Sequence, residues 1–383
     1  MIILNSKKIR TLDAAQYAWT RISHFQNTQN TSRLIIKLHS LNEKHRKNAE
    51  SQAEEIKYCL AQAKEYFTAA QSVSLATRPV LLYYGCMSMA LAEILLKQDA
   101  NSRLSRLREH HNCHGLQLVA KSTIKPEADL SEILAGISAK PQIDITGNPK
   151  GTFEIWRRSS REYPVGGEHV LHFPGSPAQQ KGFTSLLQPY DDAPNPIKKS
   201  GFSLLQCLEN LPYMEDVLSQ FSCSLDMVRA SMSSEESDSL HTVKTIIHPA
   251  PAKNLDKFIN CLVFAPGAVN SIDMQQLQSG FLITQKISAT LGESAKWPKS
   301  INLNDQDIYF SCSDQSYNEF GLLYIALHIV GNFGRYYPDI WLKHIEKSSA
   351  FSLVMEDLCN HAINRLPLLI LSELERQYYI IEI

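Results

Sequence analysis

The sequence lacks an excess of charge of either sign. Its 38 basic and 39 acidic side chains leave a formal net charge of −1. Such a balanced chain has no overall field that would steer it to nucleic acid or to an anionic membrane, so binding to either would need a local patch. Apolar residues make up 44% of the 383 positions and charged residues 20%, which is the composition of a globular protein with a sizeable core.

Motifs that hold common cofactors are also missing. None of the eight cysteines forms a Cys-x-x-Cys pair, which disfavours a disulfide framework and a zinc knuckle and favours a reducing compartment. Neither Gly-x-x-x-x-Gly-Lys-Ser/Thr nor Gly-x-Gly-x-x-Gly occurs, and neither Gly-x-Ser-x-Gly nor His-Glu-x-x-His does. ATPase, dinucleotide oxidoreductase, serine hydrolase and zinc protease functions are therefore disfavoured. We predict no cofactor and no metal.

No segment reads as a signal peptide or a membrane anchor. The N-terminus places its few apolar residues ahead of its charges and lacks a cleavable apolar region. The most apolar stretch, 80–96, follows Arg78 and contains Glu93, and it is shorter than the roughly 20 apolar residues that a span needs. We expect a buried helix there, no contact with a membrane and a cytoplasmic location.

Helical periodicity is the strongest pattern present. Apolar residues recur at steps of three and four over 49–73, 320–333 and 351–366, and 80–97 is apolar nearly all round. Neither end of the chain can bury such faces alone. The pattern predicts a mainly α protein in which residues 1–139 and 313–383 form one antiparallel helical bundle. Residues 140–312 would be a mixed α/β insertion.

Other elements follow from local composition. Prolines and glycines between 140 and 200 exclude long helices. Strands are expected at 153–156, 169–173, 242–248, 258–264 and 308–312, where β-branched and aromatic residues are frequent. A short helix is expected at 116–121 and an acidic, serine-rich loop at 231–239. Pro367 should kink the last helix or open a new one.

Four short stretches together resemble the bacterial YaaC-like protein family. They are Arg-Pro-Val-Leu-Leu-Tyr-Tyr-Gly at 78–85, His-Gly-Leu at 114–116, Gly-Arg-Tyr-Tyr-Pro-Asp-Ile-Trp at 334–341 and Leu-Pro-Leu-Leu-Ile-Leu-Ser-Glu-Leu at 366–374. Their order and rough spacing carry the resemblance, which covers about 75–375 in outline. It implies a bacterial cytosolic protein and brings no activity with it. The helical core also loosely resembles HEPN-type helical domains, some of which are metal-independent ribonucleases.

The densest polar cluster suggests a catalytic site. HEPN-type ribonucleases carry an arginine and a histidine four to six residues apart, and Arg106 and His111 fit that spacing. A histidine can take a proton from a 2′-hydroxyl and an arginine can stabilise the phosphorane charge, so Arg106, His111 and His114 are the candidate catalytic residues. Zinc binding by these histidines and Cys113 would need a further ligand from elsewhere. The alternative is a solvated basic linker with His114 packed against the core.

Two further groups are candidate binding residues. Trp156 with Arg157, Arg158 and Arg161 could stack a base and hold phosphate, or could form an exposed strand end. Arg335 and Trp341 close an apolar helix, and Arg78 would approach them if the bundle packs as expected. These three residues line a ligand groove or simply end a helix.

The leading functional hypothesis is a non-catalytic interaction or scaffold protein of the YaaC-like type. The helical bundle would support the mixed insertion, which would present the binding surface to a protein partner. The alternative is a HEPN-like metal-independent ribonuclease, or an RNA- or nucleotide-binding protein. The exposed faces of the terminal helices are also compatible with a homodimer.

Overall fold

The fold was analysed in a computed structural model of the chain. The structure describes residues 2–4, 6–98, 101–110, 113–121, 124–159, 162–172, 179–189, 196–237, 240–261, 263–264, 269–287, 295–296, 300–304, 307–312 and 317–382. Over these ranges the protein is mainly α-helical, with several β-sheets.

Helices concentrate at the two ends of the chain, where the apolar periodicity is strongest. Their bounds are α1 (Ala14–Ile22), α2 (Thr28–Leu38), α3 (Arg46–Ser72), α4 (Arg78–Lys97), α5 (Leu104–His110), α6 (Leu130–Gly136), α7 (Thr152–Ser159), α8 (Leu204–Leu208), α9 (Glu215–Ser219), α10 (Ala252–Cys261), α11 (Glu319–Tyr336), α12 (Pro338–Glu346) and α13 (Ala350–Glu375). Local capping helps to define several of them. Asn318, for example, accepts the Gly321 N–H at the start of α11.

Most strands lie between the two helical regions. Their bounds are β1 (Ile2–Leu4), β2 (Ser6–Ile9), β3 (Leu116–Ala120), β4 (Ile137–Pro141), β5 (Glu162–His172), β6 (Gln179–Pro189), β7 (Phe202–Ser203), β8 (Met227–Ser237), β9 (Leu240–Ile247), β10 (Val263–Phe264), β11 (Val269–Leu277), β12 (Gly280–Ile287), β13 (Ala295–Lys296), β14 (Ser300–Asn302), β15 (Ile308–Ser311) and β16 (Tyr378–Ile381).

The largest sheet has nine described strands. Its main path runs β1–β6–β5–β8–β9–β12–β11, and β15 joins the first half of β8 and pairs with β14. All of its pairings are antiparallel except the parallel contact of β5 with β8. A smaller sheet combines β3, β4 and β7, while β2 and β16 pair in parallel and bring the two ends of the chain together.

Helices from both ends share the larger of two hydrophobic cores. Helix α4 contacts α3, α11 and α13, and α1 contacts α13. Helices α4 and α11 run antiparallel to each other. Pro79, at the start of α4, lies at Gly331, and Tyr83, one turn further along α4, lies against His328 and Tyr324, which come earlier in α11. Residues of the middle region, among them Trp156, Leu208 and Tyr309, also enter this core.

A second, smaller core lies within the large sheet. It is built from residues of β8, β9, β12, β15 and α10, and Phe258 packs on Phe310 at its centre with ring centroids 5.2 Å apart. All of its buried residues lie between 228 and 312. The boundaries 1–139, 140–312 and 313–383 therefore stay a prediction, since the middle region contributes to both cores.

Several local predictions were wrong. Residues 116–120 of the expected helix at 116–121 form strand β3, because their backbone pairs with β4. The expected strand at 153–156 lies in helix α7, and most of the expected strand at 258–264 lies in α10. The expected loop at 231–239 is largely β8, whose pairing with β9 is a non-local constraint. Helix α13 continues through Pro367.

The described part of the chain contains one helix that is long and apolar enough to cross a membrane. It is α4, and 72% of its most apolar window is buried inside the protein. The central helix of a soluble core passes the same test of length and composition, so this feature is weak support for a span.

A buried ion pair joins the two C-terminal helices of the core. Arg365 of α13 donates from Nε and Nη2 to the two carboxylate oxygens of Glu319 on α11, at 2.6 and 2.7 Å. The side chains are only 12% and 6% exposed. Removal of either partner would leave an uncompensated buried charge.

We therefore predict that Glu319→Ala or Arg365→Ala alone lowers the free energy of unfolding by about 3–5 kcal/mol. The double variant Glu319→Leu/Arg365→Met should lose much less, because it leaves no charge behind. Denaturant unfolding measures both effects. Arg46→Ala, which breaks the exposed Arg46–Glu50 pair, is the matched control and should change little. If the double variant lost as much unfolding free energy as the two single variants together, the prediction would be contradicted.

Candidate functional site

The two central helices approach each other closely near the start of α4. Pro79 stands in the first turn of α4, where its missing N–H leaves no helical hydrogen bond unmade. On α11, a Cβ added to Gly331 would lie 3.1 Å from the Pro79 carbonyl oxygen and 3.3 Å from Tyr83 Cβ. The absence of a side chain at Gly331 therefore allows the close packing that brings Tyr83 against His328, with ring centroids 5.2 Å apart.

His114 lies in a turn that is fixed against the start of α7. Its carbonyl oxygen accepts the Phe153 N–H at 3.1 Å, which is one of the donors that the first turn of a helix leaves unpaired. Gly115 and Gly151 have φ values of +86° and +95°, and a Cβ on Gly151 would lie 2.4 Å from the Gly115 backbone. The turn thus requires glycine at both positions and holds the His114 side chain beside α4.

Tyr83 is the centre of a group of aromatic rings. Its ring centroid lies 5.4 Å from that of Tyr84, 5.7 Å from His114, 6.0 Å from Tyr324 and 5.2 Å from His328. The Tyr83 and Tyr324 hydroxyls are buried and have no hydrogen-bond partner among the described residues. Burial raises the pKa of both phenols, so each keeps a hydroxyl proton to donate.

His328 is neutral and has one unpaired nitrogen. The Asn332 side-chain amide donates to His328 Nδ1 at 3.1 Å and to the His328 carbonyl oxygen at 2.8 Å. An Nδ1 that accepts a hydrogen bond carries no proton, so this network assigns the ring proton to Nε2. His328 Nε2 is buried without a partner in the described part of the chain. Burial, with a smaller contribution from His114, lowers the His328 pKa to about 3.

Arg335 supplies a positive charge at the outer side of these rings. Its guanidinium is exposed, donates to the Tyr84 hydroxyl at 3.1 Å and lies 5.2 Å from the Tyr336 ring centroid. Burial and then the Arg335 charge lower the pKa of half-buried His114, and no described carboxylate counters that charge there. We call Tyr83, Tyr84, His114, Tyr324, His328 and Arg335 the tyrosine–histidine cluster.

The tyrosine–histidine cluster combines hydrogen-bond donors with one cation and no carboxylate. These groups are suited to hold the oxygen atoms of an anion. They are poorly suited to general acid catalysis near neutral pH, because His328 stays unprotonated until the solution is strongly acidic. The described residues contain no group of three side chains that could bind a metal ion.

Two of the predicted groove residues are engaged in packing. Arg78 pairs with Glu356 of α13 and donates to the Val73 carbonyl oxygen at 3.0 Å. Trp341 is fully buried and its indole N–H donates to the Ala76 carbonyl oxygen at 3.1 Å. These contacts favour the structural interpretation of both residues, whereas Arg335 remains exposed. Their binding role stays an untested prediction.

The predicted phosphate-binding stretch also points inward for the most part. Trp156 is 1% exposed, and its indole N–H donates to Glu93 on α4 at 2.8 Å. Buried Arg157 and half-exposed Arg158 both pair with the Glu154 carboxylate. Arg161 lies outside the described residues. The buried Trp156 ring is therefore not positioned to stack a base at the surface.

The predicted catalytic residues fall in different surroundings. Arg106 is exposed on α5 and donates to the Asn101 carbonyl oxygen at 3.4 Å. His114 faces the Tyr83 and Tyr84 rings. His111 lies outside the described residues.

Sequence reasoning missed Tyr83, His328 and Asn332. A usable signal was present, because His328 and Asn332 are four residues apart within the otherwise apolar helix α11 and therefore share a face. Polar pairs in such a position are usually hydrogen-bonded to each other. Their link to His114, more than 200 residues away in the chain, could not be read from local spacing.

The burial of neutral His328 should make the protein sensitive to acid. Between pH 6.5 and about 3 the unfolded chain binds a proton at His328 that the folded protein does not, so stability is lost as the pH falls through this window. We predict that the stability of the wild-type protein relative to His328→Gln decreases below pH 6.5, by at most about 1.4 kcal/mol per pH unit. Denaturant unfolding across this range measures the difference. Parallel pH profiles would contradict the prediction.

Burial raises the pKa of Glu93 to about 7, so this carboxyl contributes a slope of opposite sign between about pH 4.5 and 7. Both proteins contain Glu93, and its contribution cancels in the comparison.

Comparison with known proteins identifies the family. A family model described as YaaC-like protein matches residues 23–127 and 176–374, which together are most of the chain. The matched ranges include every residue of the tyrosine–histidine cluster and exclude Trp156 and its neighbouring arginines. No curated protein and no solved structure matches the chain. The chain belongs to the YaaC-like protein family.

Proposed function

We propose that this YaaC-like protein is a non-catalytic, cytoplasmic interaction protein. In this proposal the terminal helices form an antiparallel bundle that acts as a scaffold, and the mixed α/β insertion presents the binding surface to a protein partner. The observation that carries the proposal is the open edge of the nine-stranded sheet at β11. The engagement of Arg78, Trp156 and Trp341 in packing contacts adds support, because it leaves these candidate residues with structural roles.

Strand β11 ends the main path of the sheet and pairs with β12 on one side. No described strand pairs with its other side. At nine residues it is long for an unprotected edge, and 273–276 are exposed. An open edge of this kind presents unpaired backbone groups that can bind an extended segment of another protein. The edge at the far end of the sheet is formed by three-residue β1.

The hairpin geometry identifies which backbone groups face outward. Leu277 pairs with Gly280 across a two-residue turn, so the backbone groups of these two residues hydrogen-bond to each other. Along β11, every second residue before Leu277 also directs its backbone N–H and C=O toward β12. The N–H and C=O groups of Ile272, Met274 and Gln276 therefore point away from β12. The Met274 side chain is 45% exposed beside this row of groups.

The charge on β11 favours a partner other than a second copy through this edge. Antiparallel self-pairing over all nine residues would place Asp273, the central residue, opposite its own copy. Like charges directly opposite each other destabilise a sheet. An extended partner segment with a lysine or arginine opposite Asp273 would avoid this repulsion, and a homodimer would use another surface.

We predict that Met274→Pro abolishes partner binding, because proline removes an outward N–H and leaves the hydrogen bonds to β12 intact. Met274→Thr, which keeps that N–H, is the matched control and should bind like the wild-type protein. Co-purification from the native host, with circular dichroism to check folding, makes the comparison. A partner retained equally by the wild-type, proline and threonine proteins would show that β11 is not the binding edge.

The second candidate function is a HEPN-like metal-independent ribonuclease, or an RNA- or nucleotide-binding protein, that uses Arg106, His111 and His114. One observation favours it: His114 lies close enough to Arg335 for the guanidinium charge to lower its pKa. Incubation with labelled RNA, with and without chelator, separates the candidates. Chelator-resistant cleavage that His111→Ala abolishes would contradict the interaction proposal. No cleavage and no salt-sensitive RNA binding would exclude the nuclease.

A further inference from the structure

We infer that the tyrosine–histidine cluster is a binding site for a phosphoryl group. This inference is independent of the β11 edge and of the Arg106–His111 pattern. It rests on three features of the cluster: buried polar atoms that have no partner in the described part of the chain, a defined set of hydrogen-bond donors, and a cation that no described carboxylate neutralises.

The unpaired atoms are the first feature. Tyr83 and His328 are each 2% exposed and Tyr324 is fully buried, yet the Tyr83 and Tyr324 hydroxyls and His328 Nε2 have no partner among the described residues. Burying such a group without a hydrogen bond has a free-energy cost. The Tyr83 ring contacts the Tyr324 and His328 rings, so all three unpaired atoms contribute this cost within one group of side chains. A bound acceptor would remove it.

The kind of unpaired group indicates the chemistry of the ligand. Because Asn332 donates to Nδ1, His328 presents an N–H at Nε2. The two phenols retain their protons and can donate as well. All three groups can therefore donate to a ligand oxygen, which suits an acceptor with several oxygen atoms.

The charge distribution favours an anion. Arg335 is exposed at the outer side of the cluster and held by its contact with the Tyr84 hydroxyl. Its charge acts on His114, and no described carboxylate opposes it there. A guanidinium combined with neutral donors is a common arrangement for binding phosphate.

Phosphate chemistry fits this arrangement better than a carboxylate does. A terminal phosphoryl group offers three oxygens, which match an outer cation and several inner donors, whereas a carboxylate offers two. The phosphoryl group could belong to free phosphate or to a nucleotide. Half-buried Tyr66 and Tyr84 stack beside the site with ring centroids 5.8 Å apart, and this aromatic surface could contact a base.

The test uses the full-length protein with inorganic phosphate, adenosine 5′-monophosphate and adenosine, each at matched ionic strength in potassium chloride. Binding is measured from the histidine ring NMR signals, which His114→Gln and His328→Gln assign, and from the thermal midpoint. We expect phosphate to raise the midpoint and to raise the pKa of His114, because a bound anion offsets the charge of Arg335.

Arg335→Gln and Tyr83→Phe should each weaken phosphate binding by about tenfold or more, since each removes a hydrogen bond to a charged group. Arg46→Gln, a change at an exposed arginine outside the cluster, should have no effect. Tighter binding of the nucleotide than of phosphate would assign the group to a nucleotide, and equal affinity would assign it to free phosphate.

Three results would overturn the inference. The first is a phosphate response that Tyr83→Phe and Arg335→Gln leave unchanged, or that potassium chloride reproduces. The second is adenosine binding as tightly as its monophosphate, which would show that the phosphoryl group is not recognised. The third is an unmoved His114 signal at saturating phosphate, which would mean that ordered water alone satisfies the buried donors.

Discussion

The close packing of α4 against α11 is the constraint on which the rest of the structure depends. Helix α4 is apolar nearly all round, and it is enclosed by α3, α11 and α13. Residues such as Leu82 and Met89 are fully buried, where truncation to alanine typically costs 2–5 kcal/mol. Gly331 permits the contact, since a larger side chain would meet the Pro79 carbonyl oxygen. The core is therefore held together in part by helices about 240 residues apart in the chain.

The polar groups of the core are arranged around this contact. Glu93 on α4 accepts the Trp156 N–H from α7, so an element of the middle region is attached to the central helix by a buried hydrogen bond. Lys97, one turn further, pairs with Glu93 and with Glu373 of α13. At the other end of α4 the tyrosine–histidine cluster lacks such acidic partners. This difference separates polar groups that pair within the fold from buried polar groups that have no partner among the described residues.

Local pattern predicted the long helices well and the middle region in part, because the strands expected at 242–248 and 308–312 are β9 and β15 whereas other segments there were assigned wrongly. The apolar residues of α3 and α11 recur with helical spacing, and α4 is a largely apolar run of 20 residues, which is too long for a typical strand. Strand β8 carries serines and glutamates that favour a loop, and it is a strand because β9, β5 and β15 pair with it. Trp156 suggested a strand for its aromatic character, whereas burial of one face against α4 and α11 makes that segment helical.

The candidate site was also predictable only in part, because local sequence pattern does not show tertiary contacts. Arg335 stood out at the end of an apolar helix and His114 in the densest polar cluster, and both are less buried than Tyr83, Tyr324 and His328. Tyr83 and His328 lie inside apolar helices, where such residues usually belong to the core. Only the tertiary contact of α4 with α11 shows that their polar atoms are left without partners.

Helices from the two ends of the chain share one core, which should open as a single cooperative unit. Native-state hydrogen exchange across a denaturant series measures this cooperativity, because it gives an opening free energy for each segment. We expect the slowest amides of α4, α11 and α13 to share one opening free energy, equal to that of global unfolding. If α4 exchanged through an opening that left α11 and α13 protected, the shared core would be contradicted.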